Sequence, residues 1–269
     1  MGRFGTEVES LCDAEAVRET LAGLSEMVGV RTALARGRDR LVDLLNGERN
    51  DPVIRRNRID DSHLKLLLSF KLRPDSNCLD VGANHGVFLR DIQRVAPAGH
   101  HIAYEPVPSL CANLKRQFPE IDVRQRALSN EDGQCTFVHV LDPNMEGLSG
   151  LTEGWVHRDV PTEPIMVTTE RLDDHLPDGW LPDFVKIDVE GAEHLVLEGA
   201  MRAFRLAKPT IAFEHGWNGD QDFDRSELLY KLICDQLGLR LFDMDGNGPL
   251  ELPEFFDGLR TRWNWVAHE

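Results

Sequence analysis

One eight-residue stretch restricts this chain more than any other: Leu79-Asp80-Val81-Gly82-Ala83-Asn84-His85-Gly86. A short apolar strand runs into a glycine turn. The next periodic residues, Phe88, Ile92 and Val95, have helical spacing, and Pro97 and Gly99 close the segment. Strand, glycine turn and helix form the opening unit of a parallel sheet, because parallel strands need a crossover to return. Similar units follow. His101-Ile102-Ala103-Tyr104 reads as the second strand, and Ser109 as the cap of a helix carrying Leu110, Leu114 and Phe118. Ile121-Asp122-Val123 opens the third strand; Asp183–Ile187 and Thr210–Phe213 are the fourth and fifth. Leu228, Leu229, Leu232, Ile233 and Leu237 stripe a helix ended by Gly238, and Leu239–Phe242 and Trp263–Val266 finish the sheet. The expected fold is α/β: a doubly wound, mostly parallel, seven-stranded Rossmann-like sheet. An inserted strand pair is expected at Cys135–Val140 and Ile165–Thr168.

Upstream, Leu64, Leu67 and Leu68 mark one face of a helix. Residues 1–58 read as a separate N-terminal helical extension, with Val17, Leu21, Leu24 and Val28 at helical spacing. Its expected role is packing, a substrate lid or the contact of a homodimer. Residues 59–269 are the expected main domain.

Composition narrows the ligand. Acidic residues number 46 against 30 basic ones, a net charge of −16. That field repels phosphate backbones, so a nucleic acid is not an expected partner and a small-molecule acceptor is. No apolar run is long enough for a membrane span, and the first residues lack the apolar core of a signal peptide, so a cytoplasmic location is expected. The five cysteines are odd in number and scattered, as reduced core thiols would be.

In open α/β sheets ligands bind outside the carboxyl ends of the strands. There Gly82 and Gly86 would let a ligand approach the backbone. Asp80 would hold an ammonium group, which suits the amino end of S-adenosylmethionine better than a pyrophosphate. Glu105 ends the second strand about 20 residues further on, where an acid reaches the two hydroxyls of an adenosine ribose. A nicotinamide dinucleotide site needs glycines where Asn84 and Val87 stand, so that reading fails.

These residues resemble the FkbM family of S-adenosylmethionine-dependent methyltransferases. Leu79–Gly86 is similar to that family's first motif, Tyr104-Glu105-Pro106 to its second, and Ala127-Leu128-Ser129-Asn130 with Gly133 and Phe137 to its third. Lys186-Ile187-Asp188-Val189-Glu190-Gly191-Ala192-Glu193 is close to its most characteristic stretch, and Arg171-Leu172-Asp173-Asp174 resembles the lead-in. The resemblance covers residues 60–245 and implies the class I methyltransferase fold. It implies S-adenosyl-L-methionine as cofactor, S-adenosyl-L-homocysteine as product, and methyl transfer to oxygen, often of a sugar, polyketide or other secondary metabolite. It places Asp80, Gly82, Ala83, Asn84, Gly86, Glu105, Pro106 and Asp188 at the cofactor, with Ala127 and Leu128 beside the adenine. Arg126 and Ala127 stand where the class often has an acid for the adenine amino group.

Asp188 and Glu190 end the fourth strand, near the reacting methyl in such a fold, and a desolvated carboxylate there would accept a hydroxyl proton. Glu193 would favour the next helix's N-terminus. His215, at the end of strand five, is expected over the same cleft as a base. Asp188, Glu214 and His215 would be the ligands if a divalent metal took part, which is not expected. The loop Asn144–Leu151 is expected to help build the acceptor pocket. Asp243, Asp245, Asn247, Gly248 and Glu254 have the spacing of an EF-hand calcium loop, but a strand precedes them and Pro249 and Pro253 interrupt, so a turn is expected instead. The function expected is O-methyl transfer to a small molecule; the alternatives are N-methyl transfer and a non-catalytic cofactor-binding module.

Overall fold

The computed structural model describes residues 52–142, 149–150, 160–216 and 223–269. The chain separates into two compact units, Met1–Arg55 and Arg56–Glu269. The helices expected before residue 52, and the dimer contact built on them, lie outside the described residues.

The second unit is centred on a seven-stranded sheet. In chain order its strands are β1 (Cys78–Val81), β2 (Ile102–Tyr104), β3 (Asp122–Arg124), β7 (Phe184–Ile187), β8 (Thr210–Glu214), β9 (Arg240–Asp243) and β10 (Asn264–His268). Their spatial order is β3-β2-β1-β7-β8-β10-β9. The pairs among β3, β2, β1, β7 and β8 are parallel, and β10 runs antiparallel to both neighbours. The expected doubly wound, mostly parallel sheet is therefore present.

Both faces are covered, which explains why the central strands carry apolar side chains in both directions. On one face Leu79, Val81, Val185, Ile187, Ile211 and Phe213 pack under α5 (Glu193–Gly199), α6 (Met201–Ala207) and α7 (Phe223–Tyr230), through Val196, Leu197, Phe204 and Leu229. On the other, Cys78, Ala103, Phe184 and Ala212 meet α1 (Pro52–Lys71), α2 (Val87–Val95) and α3 (Pro108–Gln117) through Leu68, Phe88, Leu89, Ile92 and Leu114. Trp265 of β10 is fully buried against the ring of Phe255. The four described cysteines are free. Among the described residues, no helix is long and apolar enough to cross a membrane.

Three details differ from the sequence reading. The insertion is a three-stranded sheet: β5 (Gly133–Val140) pairs antiparallel with β6 (Thr162–Glu170), and the short β4 (Ala127–Leu128) adds parallel to β6. The cap of α3 is Val107, with Pro108 at the first helical position, rather than Ser109. Proline suits that position because its missing N–H would go unpaired there anyway. Between β9 and β10 the chain forms α8 (Leu252–Leu259), closed by a reciprocal Glu251–Glu254 capping box, where only a turn was expected. The helix stripe after β8 holds as α7, which continues as a π-helical stretch, Lys231–Gln236.

Candidate active site

The β1 turn is built from three left-handed residues in five: Gly82 (φ 84°), Asn84 (φ 45°) and Gly86 (φ 72°). Tyr104, at the end of β2, accepts with its carbonyl from the N–H groups of Gly82 and Ala83, both at 3.0 Å. Glu105 then ties the two strand ends together. Its Oε2 accepts from the N–H of Asn84 at 2.8 Å and its Oε1 from the N–H of Val107 at 2.9 Å.

A cleft opens at these carboxyl ends, lined among others by Gly82, Asn84, Glu105, Pro106, Ala127, Leu128 and Asp188. Seven of the ten residues expected at the cofactor thus share one cleft. The other three serve it from behind. Ala83 is 5% exposed and packs into the core under α2. Gly86 has no room for a side chain, because a Cβ there would stand 2.5 Å from the ring of Phe118. Asp80 is fully buried, and neither of its carboxylate oxygens has a hydrogen-bond partner. Burial raises its pKa to about 7, with Lys186 opposing and Asp188 adding to the shift. Gly82 also has a steric duty the sequence did not reveal: a Cβ on it would fall 1.8 Å from the carbonyl oxygen of Asp188.

The sheet register gathers a second set of charges. Asp80 pairs with Lys186, and Lys186 with Ala212. Side chains in register share a face of the sheet, as do residues two apart along a strand. Asp80, Lys186, Asp188 and Glu214 therefore lie on one face. The Lys186 ammonium donates to Asp188 Oδ2 at 2.7 Å. Burial opposes its charge, but Asp188, Asp80 and Glu214 outweigh that and hold it above the ordinary lysine range. Burial and the repulsion of Asp188 raise Glu190 well above the usual carboxylate range, and the same causes raise Glu214. Glu190 adopts a positive φ of 52° and Gly191 one of 96°. Such backbone strain in a non-glycine residue survives where its surroundings fix it, and it concentrates at functional turns.

His215 does not overhang the cleft. It is 4% exposed, with Nδ1 3.1 Å from Glu193 Oε2 and Nε2 2.8 Å from Ser226 Oγ. Both ring nitrogens are thus engaged inside the protein. The same contacts remove it from the metal trio: among the described residues no group of three or more His, Cys, Asp or Glu side chains is arranged to hold a metal ion. Glu193 matters more than its sequence position implied, since its Oε1 accepts from the buried N–H of Gly191 at 2.8 Å. Of the loop Asn144–Leu151, only Ser149 and Gly150 are described; Ser149 lines the cleft and Gly150 lies against Glu190. Tyr104 and Phe137 line the cleft without having been expected there. The Tyr104 hydroxyl donates to Glu170 Oε1 at 2.6 Å and accepts from Arg124 at 2.7 Å.

The EF-hand-like segment is used internally. Asp243 Oδ1 accepts from the N–H groups of Asp245 and Asn247, both at 2.9 Å. Asp245 is clamped by Arg56 at 2.8 Å and Arg262 at 3.0 Å. Glu254 is spent on the α8 cap.

Known proteins resemble the chain at several levels. The crystal structure of a methyltransferase FkbM from Methylobacillus flagellatus matches with a TM-score of 0.47 at 18% identity, over 75% of this chain and 46% of that one. The plantazolicin methyltransferase BpumL, solved with S-adenosylhomocysteine, matches with a TM-score of 0.42 at 8% identity, over 94% of this chain and 97% of that one. The AMB antimetabolite synthetase AmbE of Pseudomonas aeruginosa is 37% identical over 86 residues, which are 30% of this chain and 4% of that protein's length. The family model of the methyltransferase FkbM domain matches residues 80–241, more than half of the chain, from within β1 to within β9, and the chain belongs to that family.

Proposed function

We propose that the protein transfers the methyl group of S-adenosylmethionine to a hydroxyl oxygen of a small molecule of the sugar, polyketide or secondary-metabolite class. One observation carries this reading. A cleft at the ends of β1 and β2 is lined by Asn84, whose Oδ1 is unpartnered, with the two unpartnered Asp80 oxygens buried behind it and a cluster of carboxylates at the ends of β7 and β8 beside it. The donor set fits the cofactor. Asn84 Oδ1 would accept from its ammonium with the Asp80 carboxylate buried behind, Glu105 would hold the ribose hydroxyls, and Ala127 and Leu128 would flank the purine. When bound, S-adenosylmethionine supplies a methyl group already activated on a sulfonium. The protein's own task is to align the acceptor oxygen, which supplies much of the rate, and to take its proton. Asp188, held by Lys186, orients the hydroxyl. Glu190, made more basic than an ordinary carboxylate by burial and by the repulsion of Asp188, takes the proton. With Glu193 and Ser226 on its nitrogens, His215 is not that base.

Calorimetry should show S-adenosylhomocysteine binding. Glu105→Gln should weaken it about ten- to hundredfold, since a hydrogen bond to a charged group is worth roughly 1.5–3 kcal/mol. Binding of NAD with no binding of S-adenosylhomocysteine would overturn the reading. Transfer from 13C-methyl cofactor into a small-molecule cell extract should then give a product methyl with the chemical shift of an ether.

A second reading has its own support. Lys186 faces Asp61, Asp80, Asp188 and Glu214, and this excess of negative charge suits an amine that binds as its ammonium form and gives up a proton to Glu190 before the free amine accepts the methyl group. A product shift typical of an N-methyl group would select it.

A further inference from the structure

We propose that Ser226, His215 and Glu193 form a buried relay that fixes the Glu190–Gly191 turn, making His215 a positioning residue for methyl transfer. The proposal rests on Glu190 as the group that receives the acceptor's proton.

The three side chains are almost sealed from solvent: Ser226 is 0%, His215 4% and Glu193 2% exposed. Glu193 is the link, because its two oxygens serve different parts of the site. Oε2 meets His215 Nδ1, and Oε1 accepts from the N–H of Gly191. In the proposed relay Nδ1 donates to the Glu193 carboxylate and Nε2 accepts from the Ser226 hydroxyl. The ring itself is fixed from other directions. It stacks on Phe255 at 6.3 Å, while its backbone N–H donates to Trp263 O at 2.6 Å and its carbonyl accepts from Trp265 Nε1 at 2.8 Å.

The far end of the relay needs such support. Glu190 and Gly191 are consecutive left-handed residues, a conformation that disfavours glutamate. The N-terminus of α5 has no side-chain cap, and without Glu193 the buried Gly191 N–H would lose its partner. On the opposite side Gly150 approaches so closely that a Cβ on it would lie 3.0 Å from the Glu190 Cβ. The turn thus has close contacts with both Gly150 and Glu193, and in the proposed relay a loosened Glu193 would let the Glu190 carboxylate shift. The charged groups that act on it are Lys186 from β7, Asp188 just beyond it, Glu193 from the start of α5 and Glu214 from β8. On the ring side the chargeable neighbours are Glu193 and His194.

NMR of the full-length labelled protein tests this without a known acceptor. Glu193→Gln keeps a carbonyl for Gly191 but offers an amide N–H to the ring. The ring proton should therefore move from Nδ1 to Nε2 in the 15N spectrum, with Gly191 still protected from exchange. His215→Asn keeps a donor near the Nδ1 position and should preserve Gly191 protection and the Glu190 13C titration. His215→Phe keeps a ring without a donor. It should speed Gly191 exchange about tenfold or more and shift the Glu190 titration, as loss of a buried charged hydrogen bond implies. Affinity for S-adenosylhomocysteine should be unchanged in all three. A ring proton that stays on Nδ1 in Glu193→Gln, or Gly191 and Glu190 signals that ignore His215→Phe, would overturn the relay. If His215→Phe does not fold, the Glu193→Gln tautomer decides alone. Failure of the Glu190 assignment would show separately, as undiminished methyl transfer by Glu190→Gln, and leaves these NMR outcomes as they are.

Discussion

Replacing Asp80 by asparagine should stabilise the protein at neutral pH and, on the proposed function, weaken its binding of S-adenosylhomocysteine. Asp80 lies inside β1 with no exposed surface and no hydrogen-bond partner on either oxygen. Burial raises its pKa from the ordinary 3.8 to about 7. A raised carboxylate acts opposite to the usual acid. Below about pH 4 the carboxyl is protonated in both the folded and unfolded chain and contributes nothing. Between the two pKa values the unfolded chain releases a proton that the folded protein keeps, so stability falls by about 1.4 kcal/mol per pH unit. Above about pH 7 the loss is complete, on the order of 4 kcal/mol. Asparagine carries no such proton. Urea unfolding of both proteins should coincide near about pH 4 and diverge as pH rises, with the variant on the order of 4 kcal/mol more stable, or roughly 10 °C higher in Tm, at about pH 8. Added S-adenosylhomocysteine should stabilise the natural protein increasingly as Asp80 ionises, and the variant hardly at all. A variant less stable than the natural protein at pH 8, or an advantage that does not change with pH, would refute the reasoning.

Gly82→Ala should be among the most damaging single-methyl changes available. Its Cβ would meet the Asp188 carbonyl oxygen at 1.8 Å in a backbone with φ 84°, so a loss of about 3 kcal/mol or more is expected from the denaturation midpoint. Gly179→Ala is the control, with φ 74° and nothing within 4 Å; it should cost only about 1 kcal/mol for its left-handed backbone, and equal losses would show that the close approach is not what matters. Millimolar calcium should leave the unfolding temperature unchanged, because Arg56 and Arg262 already occupy Asp245 and Glu254 caps α8. A calcium-dependent rise that Asp245→Asn removes would contradict this.

The sheet was legible because its signals are local and repeated. Each strand is an apolar run closed by a turn, and each crossover helix keeps the spacing of Phe88, Leu89 and Ile92 or of Leu110 and Leu114. Helix α8 was missed because Pro249 and Pro253 read as interruptions, although proline is tolerated in the first helical turn, where Pro253 sits. The turn at β1 was placed correctly, but part of the reason for its glycines was not legible. Gly82 and Gly86 were read as room for a ligand, whereas their missing side chains first allow β1 to meet the Asp188 carbonyl and α2 to meet Phe118. Steric needs of that kind arise between segments far apart in sequence, and no local pattern announces them.

His215 shows where sequence reasoning stops. Placing it at the end of β8 was sound, but a strand end fixes the backbone and leaves open which face the side chain takes. Parity would have separated the candidates. Asp80, Lys186 and Ala212 are in register on one face, so Asp188 and Glu214, two residues further along their strands, join them there. His215 is one residue beyond Glu214, so if β8 runs straight its side chain goes to the other face, towards Ser226 of α7 and Glu193 of α5. A one-residue step is the whole difference between a base over the cleft and a ring in the core. The charged pocket and the buried relay are thus two outcomes of one alternation, and they meet again only at Glu193, whose carboxylate touches the ring on one side and the turn that carries Glu190 on the other.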